Sequence, residues 1–118
     1  MNNKIVSLTK NEDFKSLLKG KKISNKYFTI FFNKLLNKDS NNLNVSFVTK
    51  KKIGNAVKRN KIRRKLKAAV QKTLERKTDV NLNYTYIIFG KKKIYSDKFQ
   101  FLLKEMDITF KKIKRLIN

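Results

Sequence analysis

The run KKKIGNAVKRNKIRRKLK, Lys50 to Lys67, changes character at Gly54. From Ala56 onward Ile62, Leu66, Ala69, Val70, Thr73 and Leu74 recur at the spacing of one helix face, so a helix is expected from about Ala56 to Arg76. The cations fall off that face in two stripes, Asn60, Arg64, Lys67 and Gln71 on one and Lys61, Lys65 and Lys72 on the other. A helix that is apolar on one side and cationic on the rest must dock its apolar side on something. The segments flanking it read as strands. Upstream, Leu43, Val45, Phe47 and Thr49 alternate with Asn44, Ser46, Val48 and Lys50; downstream, YTYIIF from Tyr84 to Phe89 is nearly continuous in apolar residues, which suits a buried central strand.

Working outward, Tyr27 to Leu35 is rich in aromatic and β-branched residues and reads as another strand, with Phe28 and Ile30 in the core. The polar cluster NKDSNN, Asn37 to Asn42, is a turn, and the simplest arrangement returns Leu43–Thr49 antiparallel to Tyr27–Leu35 as a hairpin. Thr9 and Glu12 have capping-box spacing for a short helix from about Lys10 to Lys19, where Gly20 is placed to end it in the left-handed conformation and Lys21 and Lys22 begin a basic connection. At the other end Ser96 or Asp97 caps a helix along which Phe99, Leu102, Leu103, Met106, Phe110, Ile113 and Ile117 follow helical spacing closely. The expected architecture is α+β, helices packed on a small sheet. At 118 residues with no linker-like stretch, residues 1–118 are expected to form one domain.

Composition narrows the function. There are 31 Lys and Arg against 8 Asp and Glu, a formal charge of +23. Such a field opposes compaction and calls for an anionic partner, and a phosphate backbone gains binding free energy for every counterion it releases. A membrane surface would call for a basic amphipathic helix outside the core, whereas here the cations share segments with core residues. The chain has no Cys and no His, which removes disulfides, thiolate nucleophiles, His-based triads and ordinary zinc sites. No signal-like or membrane-spanning run occurs, so a cytoplasmic protein is expected. The only adjacent acidic pair, Glu12 and Asp13, stands at a helix start, where capping explains it better than a nuclease metal site.

Within the basic run, Arg59, Arg63 and Arg64 supply forked donors that grip phosphate in two places, the lysines act as point charges, and Asn60 can read a hydroxyl or a base edge. A solvated basic face is the plainer alternative. The wording of the run decides between them. KKIGNAVKRNKIRR, Lys51 to Arg64, resembles the signature of the bacterial ribonuclease P protein family, whose hallmark is Arg-Asn, two variable residues and a basic pair; Arg59, Asn60, Arg63 and Arg64 stand at those positions. Lys51, Lys52, Gly54, Ala56 and Val57 match as well, and KNEDF at Lys10 to Phe14, SNKYF, the tyrosine-rich later strand and the last helix follow in family order. Lys50 departs from a usual small hydroxyl residue, Lys65 from an often apolar one, and Leu18 from a common aromatic.

The resemblance implies a mixed sheet of about four strands with three helices in the order α-β-β-β-α-β-α, including a left-handed βαβ crossover of the ribosomal protein S5 domain 2-like type, against the general handedness rule. It also implies an RNA-binding surface of Lys51, Lys52, Asn55, Lys58, Arg59, Asn60, Lys61, Arg63, Arg64 and Lys67, and a cleft for the 5′ leader of precursor transfer RNA lined by Phe14, Leu18 and Phe31. The implied partners are the ribonuclease P RNA, in a one-to-one complex with a protein monomer, and precursor tRNA. Magnesium ions (Mg2+), held mainly by the RNA, would cut the phosphodiester, with no catalytic residue and no metal site in the protein. The rival reading is a structural or ribosomal RNA-binding protein with no part in tRNA processing.

Overall fold

The computed structural model describes residues 5–6, 11–34, 42–76 and 80–117, with the side chains of 6 and 11–14 outside that description. Among the described residues five strands, β1 (Ile5–Val6), β2 (Lys21–Ser24), β3 (Phe28–Lys34), β4 (Leu43–Val48) and β5 (Tyr84–Gly90), form one mixed sheet in the order β1-β4-β5-β3-β2. Four helices accompany it among these residues: α1 (Asn11–Leu18), α2 (Ala56–Glu75), the single turn α3 (Lys93–Ser96) and α4 (Phe99–Ile117). A 3₁₀ turn, Lys51–Ile53, precedes α2.

The α+β class and the helix-and-strand order stand, with β1 and α3 added; both are too short for periodicity to register. The expected hairpin between β3 and β4 does not form. β5 lies between them, antiparallel to β3 and parallel to β4, so β4, α2 and β5 make a parallel crossover unit. Alternation in β4 is the same whichever neighbour it pairs with, whereas β5, buried from Thr85 through Ile88, needs a partner on each edge. The hairpin partner of β3 is β2, which looked like a basic connection because Lys21, Lys22 and Ser24 are all exposed. Asn25 turns this hairpin: its Oδ1 accepts from the backbone N–H of Tyr27 at 2.9 Å and of Phe28 at 3.0 Å. The Thr9–Glu12 capping box and the turn over residues 37–41 lie outside the described residues.

Gly20 follows α1 without the left-handed backbone expected of it; its reason is space. A Cβ there would stand 2.9 Å from the Phe32 carbonyl oxygen of β3, a backbone atom that cannot swing away.

Pleating divides the sheet into two faces. Leu43, Val45, Tyr86, Ile88, Phe28, Ile30 and Phe32 pack against Ile62, Leu66, Ala69 and Val70 of α2 and Leu102, Met106, Phe110 and Ile113 of α4, the apolar stripes read from the sequence. The two helices are also tied to each other by Asp107, whose carboxylate accepts from the Thr73 hydroxyl and the Arg76 guanidinium, both at 2.7 Å. The second face carries Thr29, Phe31, Thr85, Ile87 and Phe89; α1 covers part of it, with Leu17 and Ile87 buried there. No helix among the described residues is long and apolar enough to cross a membrane.

Tyr27 links the β2–β3 turn to the start of α4. Its hydroxyl donates to Asp97 Oδ2 at 2.7 Å, so one of the two candidate caps of α4 is engaged across the fold. Burial of the ring, with the neighbouring carboxylate adding to it, raises the phenol from 10.0 to about 12, while the same hydrogen bond lowers the Asp97 carboxyl. A phenol that ionises later in the folded chain than in the unfolded one stabilises the fold below pH 10.0 and loses that contribution as pH rises toward about 12. Tyr27→Phe should therefore lose less stability than the native chain between those pH values in urea melts, and equal losses would deny the link.

Candidate nucleic-acid interface

Asn55 starts α2: extended itself, it accepts the Lys58 backbone N–H on Oδ1 at 2.9 Å, which satisfies one of the free donors of the first turn. Its carbonyl-type oxygen is thus committed to the cap. Lys51 and Lys52 lie exposed in the 3₁₀ turn just before it. Beyond the cap, the residues expected to bind RNA spread around the helix. Taking Ile62 as the centre of the apolar face, Arg59, Asn60, Arg63 and Lys67 leave α2 on one flank, Lys58 and Lys61 on the other, and Arg64 stands at the back beside Asn60.

The first flank is itself differentiated. Arg63, expected as a phosphate clamp, turns inward: one terminal nitrogen donates to Thr49 Oγ1 at the end of β4 at 2.8 Å, and the other to Asn60 Oδ1. It acts as a brace that holds α2 to the sheet and turns the Asn60 amide, leaving that side chain's NH₂ to donate outward. Arg59 is half-buried, and its Nε is enclosed without a hydrogen-bond partner. Arg64 and Lys67 are exposed and off the core. Val57, Asn60, Arg63 and Arg64 surround a shallow cavity of about 490 Å³, a size that admits a phosphate group with its sugar.

This division is open to a stability measurement. Arg63→Ala should cost about 1.5–3 kcal/mol, the range for hydrogen bonds made by a charged group, while Arg64→Ala should stay within about 0.5 kcal/mol of native, as exposed substitutions do. Chemical denaturation of the two variants checks it; equal costs would show that Arg63 is no brace.

The second surface lies on the sheet face away from α2. A cleft of about 640 Å³ is lined by Leu18, Thr29, Phe31, Ile53 and Phe89 and rimmed by Lys50, Lys52, Lys91 and Lys92. Phe31 and Phe89 meet edge to face, with centroids 5.6 Å apart and planes at 72°. Each has an ammonium near its ring, Lys22 for Phe31 and Lys50 for Phe89, both at 5.9 Å. Of the three cleft residues expected, Leu18 and Phe31 are there, and the Phe14 side chain lies outside the described residues. Sequence reading missed Phe89, Lys50 and Lys22. Phe89 sits two residues from Ile87 on the same strand face, and the alternation within β5 was the signal that could have found it. Phe28 and Ile30 are buried, as expected of core residues.

A cationic helix flank with forked donors, joined to an aromatic cleft rimmed by lysines, defines a nucleic-acid-binding α+β protein. The comparisons with known proteins agree and go further. The family model described as Ribonuclease P matches residues 2–114. The ribonuclease P protein component of Carboxydothermus hydrogenoformans is 31% identical over 98% of this chain and 97% of its own length, and that of Bacillus cereus is 28% identical over 89% and 88%. Among solved structures, the RNase P protein of Thermotoga maritima superposes with a TM-score of 0.68 at 24% identity, covering 91% of this chain and 96% of that one, and the Staphylococcus aureus RNase P protein with 0.63 at 22%, covering 95% and 97%; at these identities they show the shared fold. The chain belongs to the ribonuclease P protein family, the RNA-binding protein components of an enzyme of tRNA processing.

Proposed function

We propose that this chain is the protein subunit of a cytoplasmic ribonuclease P, joining one catalytic RNA as a monomer and helping it remove the 5′ leader from precursor tRNA. The Arg59, Asn60, Arg64 and Lys67 flank of α2, with Lys51 and Lys52 before it, holds the catalytic RNA. The Phe31–Phe89 cleft receives the leader. The observation that carries this reading is the second surface: two rings at an angle, each with a lysine beside it, suit unpaired bases and their phosphates and serve no purpose in gripping a duplex backbone.

In this reading the protein contributes binding and charge, and the phosphodiester is cut by the RNA. Two RNAs brought together repel each other, and lysines placed between them offset that repulsion most at moderate salt. Lys and Arg carry no oxygen ligand for magnesium, and the Oδ1 atoms of Asn55 and Asn60 already accept from the Lys58 backbone N–H and the Arg63 guanidinium, so the ion is assigned to RNA oxygens and no step is routed through the protein's side chains.

Phe89→Ala should weaken precursor binding to the holoenzyme by about 1–3 kcal/mol if one base stacks there, roughly 5- to 150-fold. The same variant should bind leaderless tRNA as the native holoenzyme does. Steady-state binding of both substrates is the measurement. An equal loss for both would place Phe89 outside the leader's path, and failure of the native protein to stimulate leader cleavage by a ribonuclease P RNA at low magnesium would favour a purely structural RNA-binding role.

A further inference from the structure

One aromatic cluster belongs to neither surface. Tyr95, on α3, is 37% exposed, and two ammonium groups from α2 approach its ring, Lys58 Nζ at 4.7 Å and Lys61 Nζ at 5.1 Å from the centroid. Both lysines leave α2 on the flank opposite Arg63 and Lys67. The ring's backbone is held firmly. Lys65 reaches across from α2 to donate to the carbonyl oxygens of Ile94, Tyr95 and Asp97 at 3.0, 3.4 and 3.3 Å, and Ile94 beside the ring is buried in the core.

Neither Lys58 nor Lys61 makes an ion pair with a described carboxylate. Two ammonium groups drawn to one ring repel each other, and an anion between them relieves that repulsion. We propose that Tyr95, Lys58 and Lys61 form a second nucleotide subsite, which takes an unpaired RNA base on the tyrosine ring and the adjoining phosphates between the two lysines. This rests on reading α2 as an RNA-binding helix, and it gives that helix a second working flank. RNA fits better than an acidic protein segment because carboxylates would satisfy the lysines and leave the ring's face unused. The exchange is favourable: a surface cation over a ring contributes about 2- to 5-fold each, whereas a stacked base contributes about 5- to 150-fold, and the lysine stems are long enough to swing from ring to phosphate.

The chain has no Trp and four Tyr, and Tyr95 is the exposed one, Tyr27 and Tyr86 being buried and Tyr84 half-buried. Tyrosine emission of the full-length protein therefore reports on this ring. Titration with single-stranded oligouridylate should quench it, Tyr95→Ala should weaken that binding by about 5- to 150-fold, and Tyr95→Phe should keep the affinity while losing the quench. Lys58→Ala/Lys61→Ala should reduce the salt slope by about 1.4, two phosphates' worth for a single strand. Native affinity in Tyr95→Ala, absence of a quench, or an equal loss with a duplex of the same length would each overturn the subsite. If Tyr95→Ala is silent while Arg64→Glu/Lys67→Glu loses ribonuclease P RNA, only this subsite falls; if that pair of reversals is silent as well, the reading of α2 falls with it.

Discussion

Phe110→Ala is expected to cost about 3–5 kcal/mol, the range for deleting a buried aromatic ring. Phe110 is fully buried in α4 and meets Tyr86 of the central strand edge to face, with centroids 5.2 Å apart and planes at 75°. Tyr86 cannot tip into the space left behind, because its hydroxyl donates to the Asn81 carbonyl at 2.6 Å. The hole should therefore persist between the middle of the sheet and the last helix. Domains of this size hold only about 5–15 kcal/mol in total, and a formal +23 draws on that margin through self-repulsion. Urea melts at fixed salt should show the loss, and saturating RNA at about 100 times its dissociation constant should return about 2.7 kcal/mol of it. A cost below about 1 kcal/mol would mean that α4 does not seal the core as described.

Arg64→Glu/Lys67→Glu should have the largest effect on RNA binding. Both residues are exposed on α2 and remote from its apolar face, so folding should be unchanged by circular dichroism. Reversing two charges changes the local count by four, which should reduce the magnitude of the salt slope by roughly 3. Extrapolated from 1 M salt, where the electrostatic contribution vanishes, that amounts to about a thousandfold weaker binding at 0.1 M. Filter binding across a salt series checks both figures together. A loss of affinity with an unchanged slope would point to base reading rather than phosphate contact, and no loss would remove this flank from the interface.

The parts of this protein legible in its sequence are those specified by a repeated local spacing. α2 and α4 each place four or more apolar side chains on one face, and that face is the buried one. What stayed hidden depends on which segments meet. Nothing within β4 distinguishes pairing with β3 from pairing with β5, so the order of the sheet was missed. Arg63 read as a clamp because its bond to Thr49, fourteen positions earlier, exists only once α2 lies against the end of β4. Lys50 and Lys22 belong to the cleft through neighbours far along the chain, Phe89 and Phe31 respectively, and a run of lysines does not reveal which will stand beside a ring. The family signature, by contrast, was readable because it is a fixed string.

Among the described residues, the outermost strand β2 presents Lys21 and Lys22 at the rim of the sheet, and the opposite rim is closed by the two residues of β1. An unpaired rim invites another copy to extend it, and repeated extension is how fibrils grow. Here a newcomer would have to bring its own lysines against these, charge facing like charge. A chain made before its RNA arrives thus carries a built-in deterrent to self-association, drawn from the same residue type that later serves the partner.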